Sequence, residues 1–261
     1  MQNYFLIACR CVMVVVLIAV AGCSKSAKSD SQSLTVLPQE ANSPDDAAFG
    51  EFEEELSGKE IHIADPLEPL NRTMFGVNDV LYFWVVRPVT KTYANAIPKP
   101  ARIGVGNFFH NLTTPVRLVS SLLQGKGKAA SREVDRFAIN TTVGVLGVGD
   151  PAADRYKIMP SDEDLGQTLA VYGVGDGCYL VLPLFGPSTL RDTGGMVGDM
   201  FLNPIWYVEP REVSLGISAV RFTNEGSFHI GEYEAFKDAA MDPYVAMRGA
   251  YIQNRDKKIK E

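Results

Sequence analysis

Few side chains in this sequence stand in a pattern that makes or breaks bonds. Of the three histidines, His62 lies in a polar N-terminal stretch, and His110 and His229 have no acidic neighbour pattern that suggests a triad or a metal site. No Gly-x-Ser-x-Gly elbow is present. Ser188, between Pro187 and Thr189, reads as a helix N-cap. Asp162 and Asp164 stand at a helix start, where the dipole favours negative charge. Cys178 lies in an apolar run rather than beside a cation, which argues against a nucleophilic thiolate. The Gly104-x-Gly106 and Gly173-x-Gly175-x-Gly177 spacings lack the strand–turn–helix context and downstream acid of a dinucleotide site. No catalytic residue, cofactor or metal is therefore expected. A net charge of −6 without a basic stripe argues against a nucleic-acid partner.

Cys23 is the exception. Met1 to Gly22 reads as a secretion signal, with Arg10 the only charge before the apolar run Val12 to Val20. That run falls short of the roughly 20 apolar residues that span a bilayer. Val20-Ala21-Gly22-Cys23 resembles a bacterial lipobox, in which the Cys thiol takes a diacylglyceryl group. Position and flanks agree, so this reading is preferred to an ordinary signal peptide with an incidental Cys. Two or more acyl chains make a stable anchor. Ser24 follows, not the Asp that holds such proteins at the inner membrane, which favours the outer membrane. Cys9 and Cys11 leave with the signal and Cys23 would be lipidated, so no internal disulfide is expected in the mature chain.

The remaining sequence must position whatever the anchor delivers. Residues 23–64 read as a lipidated N-terminus and flexible acidic tether, rich in Ser, Ala, Asp and Glu. A folded domain is expected over 65–254 and a basic tail over 255–261. Asp65 is a candidate N-cap, with Pro66 at the first helical position and Glu68 at the capping-box spacing. Leu67, Leu70, Met74, Val77 and Leu81 give one apolar face, and Asn71, Arg72, Asn78 and Asp79 lie off it. Arg87-Pro88 is expected to end that helix. Asn107 and Asn111 share a helical face and are read as cross-links between helices rather than lumen residues.

Phe137 to Gly149 is almost free of charge, with Asn140, Thr141 and Thr142 its polar exceptions. Its small residues suit close helix packing beside lipid, while a buried helix with a glycine C-cap explains Gly147 and Gly149 equally well. Tyr179 to Leu184 is expected to form a tightly turned apolar wall between two helices, bounded by Pro183 and Pro187. Helices are expected near Asp192–Tyr207, Val213–Phe222 and Ile230–Ala240, and after Asp242-Pro243. Little strand alternation is visible, so the fold should be mainly α.

Several of these stretches resemble the MlaA (VacJ) family of outer-membrane lipoproteins. Asp65-Pro66-Leu67-Glu68 with Asn71-Arg72, then Asp164-Leu165-Gly166-Gln167-Thr168-Leu169, Tyr172-Gly173-Val174-Gly175 and Gly186-Pro187-Ser188-Thr189 carry the likeness. Leu165 stands for the family's usual Phe and Cys178 for its usual Pro. The resemblance implies a ring of helices embedded in the outer membrane around an amphipathic channel. Through it, mislocalised phospholipid would pass from the outer leaflet to a soluble periplasmic carrier, with an inner-membrane ABC transporter completing the return. It also implies association with trimeric outer-membrane porins. Candidates for the lipid path are Asn71, Arg72, Asn78, Asn140, Thr141 and Gly147. Two alternatives are a non-transporting periplasmic scaffold lipoprotein, which would carry no bound lipid, and a lipid hydrolase, which would release lysolipid.

Overall fold

A computed structural model describes residues 64–261. The expected signal, Cys23, His62 and the tether lie outside the described residues. Helices dominate, as expected, and one short hairpin interrupts them. The first helix, α1 (Glu68–Leu81), has Leu67 at its N-cap position and no side-chain cap, which corrects the expectation for Asp65. Asp65 instead accepts from Asn71 Nδ2 at 2.8 Å, from Arg248 at 3.0 Å and from the Tyr244 hydroxyl. Three donors, one of them charged, satisfy a carboxylate better than a single capping N–H. Glu68 turns to Arg72 at 2.7 Å rather than back toward the helix start.

Arg87-Pro88 does not end the helix. Tyr82–Val86 winds as a π-helical turn, and α2 (Arg87–Ala96) follows with Pro88 in its first turn. The wider π turn accommodates a ring that would clash with a carbonyl of the preceding α turn. Next come α3 (Lys99–Leu112), α4 (Thr114–Leu123) and α5 (Gly127–Thr142). The short α6 (Pro151–Asp154) and α7 (Leu165–Val171) are capped by the carboxylates of Asp150 and Asp164. Asn107 donates to the Val148 carbonyl at 3.2 Å and Asn111 to Thr141 Oγ1 at 3.0 Å, the cross-linking expected of them.

The apolar block after Gly177 is not simply a turned wall. Strands β1 (Tyr179–Leu182) and β2 (Gly186–Thr189) pair antiparallel, with Tyr179 opposite Thr189. Helix α1 lies along the free edge of β1 and takes the place of a third strand. Asn71 Nδ2 donates to the Tyr179 carbonyl at 2.9 Å, and Val181 N donates to Asn71 Oδ1 at 2.9 Å. Asn78 repeats this one step along, donating to the Leu182 carbonyl at 2.9 Å and accepting from Leu184 N at 2.8 Å. The spacing explains the match. Seven helical residues rise about 10 Å, and three strand residues advance about the same. Each amide side chain thus satisfies edge groups that would otherwise be open for pairing.

Helix α8 (Leu190–Leu202) is capped by Thr189, not by Ser188 as expected. A 3₁₀ turn (Pro204–Tyr207), α9 (Arg211–Gly226) and α10 (Glu232–Ala239) follow. The last helix, α11 (Pro243–Lys260), begins after Asp242 as expected, with the Asp242 carboxylate capping it by accepting from the Tyr244 and Val245 nitrogens. It also absorbs the expected basic tail, because Arg255 is held by Asp164 at 2.6 Å and Asp192 at 2.9 Å. Burial alone would raise the Asp192 carboxyl, yet hydrogen bonds from Arg255, Tyr251 and Arg191 outweigh it and bring its pKa down to about 2. Helices α7 and α8 approach so closely that a Cβ on Gly195 would sit 2.2 Å from the Gly166 nitrogen, which only glycine permits.

The packing order closes on itself. Helix α1 meets the π turn, which meets α2; α2 packs on α9, α9 on α3, α3 on α5, and α5 on α4. Then α4 packs on α7, α7 on α11, α11 on β2, and β1 returns to α1.

Candidate functional site

The distribution of polarity is turned inside out. Among the described residues, buried polar and charged side chains outnumber buried apolar ones, and several of the latter are alanines. Asn71, Glu133, Gln167 and Asn224 are almost wholly buried. Outside lie Leu70, Val77, Val80 and Trp84, the last 80% exposed, with Leu122, Val145, Leu146, Phe185, Phe201 and Leu215. The buried face of α1 is therefore rotated from the expected one. Leu70 and Val77 point out, while Asn71 and the half-buried Asn78 point in. Large apolar side chains on so much of a surface are costly in water and favourable against hydrocarbon. No helix among the described residues is long and apolar enough to cross a membrane.

A polar cavity of about 350 Å³ opens where α3, α4, α9 and the loop before α7 converge. Arg117 is fixed on its wall. Its Nε donates to Glu133 at 2.7 Å, and its other nitrogens reach Thr113 Oγ1 at 3.0 Å and the His110 carbonyl at 2.9 Å. Glu133 also accepts from Ser161 N at 2.8 Å, so this fully buried carboxylate has partners on both oxygens. Burial, helped by Arg117 and Arg136, pushes His110 down to about 4, which leaves it neutral at neutral pH. Its buried Nε2 has no hydrogen-bond partner in the structure. Arg221 and Glu225, one helical turn apart on α9, line the same space.

Beyond Phe109 lies an apolar chamber of about 640 Å³, walled by Phe108, Leu112, Ile205, Val213 and Ile217 among others. Phe109 lines both spaces. A polar room and a greasy room sharing one wall can hold the two ends of an amphiphile. Among the described residues, no group of His, Cys, Asp or Glu could hold a metal ion.

The six path candidates gather in two other places. Asn71 is 1% exposed, with its amide bound to β1 and Asp65. Asn78 is engaged with the hairpin and borders a cavity of about 180 Å³ beneath it. Arg72 is exposed, pairs with Glu68 and Asp242, and lies 4.5 Å from the Tyr244 ring. At the end of α5, Asn140 donates to Asp150 at 2.8 Å and accepts from Ala152 N at 3.1 Å, while Thr141 accepts from Asn111. Gly147 sits in the following loop with φ +86°, and a Cβ there would meet Asn111 at 2.5 Å. None of the six lines the polar cavity. His110, Arg117, Arg221 and Glu225 were not anticipated there. A signal existed for two of them, since Arg221 and Glu225 are charged residues four apart on a helix that is otherwise apolar along one side.

The family model described as MlaA lipoprotein matches residues 63–258. Over 200 residues the chain is 36% identical to the intermembrane phospholipid transport system lipoprotein MlaA of Escherichia coli, covering 74% of this chain and 77% of that protein. The protein of the same description from Haemophilus influenzae is 32% identical over 200 residues, covering 76% and 80%. A protein of Rickettsia conorii is 34% identical over 202 residues, covering 76% and 79%. The fold also matches a structure described as the structural basis for maintenance of bacterial outer membrane lipid asymmetry. That match has a TM-score of 0.67 and 34% identity, covering 75% of this chain and 99% of the other.

Proposed function

The chain belongs to the MlaA lipoprotein family, and from that premise we propose that it takes part in intermembrane phospholipid transport. It removes phospholipid from the outer leaflet of the outer membrane and so maintains lipid asymmetry. One observation carries this reading: the polarity is inverted, with an apolar exterior around a polar cavity that adjoins an apolar chamber. A headgroup moving through hydrocarbon is costly. A cavity that offers hydrogen bonds and paired charges replaces the water it loses, while the acyl chains keep an apolar wall. No bond is made or broken in such a step.

The finer parts of the proposal rest on the motif resemblance and the Val20–Cys23 segment. Cys23 carries the acyl anchor, the domain faces the periplasm, a trimeric porin lies beside it, and a soluble periplasmic carrier receives the lipid. The test is complementation of an Escherichia coli strain lacking its MlaA relative, read as outer-leaflet phospholipid and detergent resistance, with lipid extracted from the purified protein. Restored asymmetry with bound phospholipid is expected. Expression without rescue and without bound lipid would favour a scaffold, and lysolipid in the extract would point to a hydrolase.

A further inference from the structure

We propose that the polar cavity is a seat for a zwitterionic phospholipid headgroup, with Arg221 and His110 facing the phosphate and Glu225 facing the ammonium. The proposal rests on the transport reading and adds the headgroup class to it. The argument is one of charge bookkeeping inside a single space. Arg117 lies on the wall, but its charge is matched by Glu133 at 2.7 Å. Asp162 lies there too and is matched by Lys258 at 3.3 Å. What is left is one cation and one anion, Arg221 and Glu225. Residues four apart on a helix ordinarily pair with each other. Here neither forms an ion pair with a described residue: Arg221 is half-buried and Glu225 exposed, and both border the cavity.

His110 adds a neutral imidazole whose buried Nε2 has no hydrogen-bond partner in the structure. In the tautomer with hydrogen on Nε2 it donates to a phosphate oxygen. A cavity with separate, unmatched charges of both signs complements a molecule that also carries both. A lipid with phosphate alone would gain Arg221 and meet Glu225 as a like charge. A lipid without phosphate would leave Arg221 unanswered. Phe109 then divides headgroup from acyl chains, because it borders both the polar cavity and the apolar chamber.

The test uses the full-length protein in mixed micelles holding equal amounts of phosphatidylethanolamine, phosphatidylglycerol and diacylglycerol, followed by analysis of the lipid retained. Phosphatidylethanolamine should exceed phosphatidylglycerol by about fivefold, the factor that corresponds to about 1 kcal/mol. Glu225→Gln should bring the two phospholipids to parity, and Glu225→Lys should reverse their order. Arg221→Gln should lower both phospholipids relative to diacylglycerol. Melting curves establish that each variant is folded, and Glu225→Lys decides if Arg221→Gln is not. Soluble phosphoethanolamine should displace the lipid only weakly, and displacement at lipid-like concentration would make the cavity a site for small phosphoamines and overturn the assignment. Retained phospholipid with no headgroup preference, unchanged in the variants, overturns the headgroup seat and leaves the transport reading standing. Absence of all bound lipid overturns both.

Discussion

Replacing Asn71 with Ala separates a structural from a lipid-contacting role for this residue. Its amide is 1% exposed and joins α1 to β1 through the Tyr179 carbonyl and the Val181 nitrogen. Truncation leaves both backbone groups without a partner in a site that water does not reach. Each orphaned group costs about 1–3 kcal/mol, and Asp65 loses one of its three donors as well. The expected loss is therefore about 3–5 kcal/mol, against a typical total of about 5–15. Asn78→Ala removes the same kind of contact one step along, but Leu184 is exposed and water can replace the lost bond. About 1 kcal/mol is expected there. Denaturant titration of both variants in one detergent, with amide exchange followed at Val181 and Leu184, gives the comparison. Asn71→Ala should speed exchange at Val181 far more than Asn78→Ala does. A variant Asn71→Ala that melts like wild type, keeps Val181 protected and yet loses lipid would refute the reasoning and return Asn71 to the lipid path.

Burial raises the Asp199 carboxyl to about 6, so its contribution to stability is fully present below the unfolded value near 4 and is lost as pH rises through 6. Asp199→Asn should then stabilise the protein above pH 6 by about 1 kcal/mol, the full displacement of about 3 being reduced by partial exposure, and match wild type below pH 4; equal melting temperatures at pH 7.5 would contradict this. Gly147→Ala must place a side chain at φ +86° and against Asn111, and a loss of about 2 kcal/mol is expected from strain and crowding together. If lipid transport fails while the melt is unchanged, the loop acts through motion rather than fit. Cys23→Ser should abolish incorporation of radiolabelled palmitate, and incorporation at the wild-type level would show that the thiol is not the acceptor.

Helices with strong caps were the most legible part of the chain. The helix starts at Asp242-Pro243 and Asp164 read correctly because a carboxylate before the first turn satisfies free N–H groups locally. Asp65 misled for the opposite reason: its partners Tyr244 and Arg248 lie far along the chain, and no local rule sees them. The hairpin was hidden by its length. Strands of four residues with prolines nearby carry little alternation, and β1 is stabilised by two asparagines on a helix rather than by a neighbouring strand. The inside-out polarity defeated the choice of buried face on α1, since that choice assumed a water-facing exterior. Asn71 and Asn78, two of the path candidates, hold backbone groups of the hairpin, a role that their spacing along α1 did not announce. The cavity residues came from α3, α4 and α9, which nothing in their spacing brings together.

The closed order of packing has a consequence for how the chain reaches this form. Asp65 at the start of the domain is bound by Tyr244 and Arg248 near its end, and Asp164 and Asp192 wait for Arg255. The final contacts join residues separated by 179 and 183 positions. Pairings so distant in sequence form slowly, because the intervening chain must lose its freedom before they stabilise anything. The domain therefore cannot be completed from its beginning while its end is still being made. Until α11 arrives, the gap between β2 and α7 stays unsealed, with Asp164 and Asp192 lacking Arg255. A chain cut before Tyr244 should thus remain an open string of helices, and synthesis to the last turn of α11 is the event that shuts the circle.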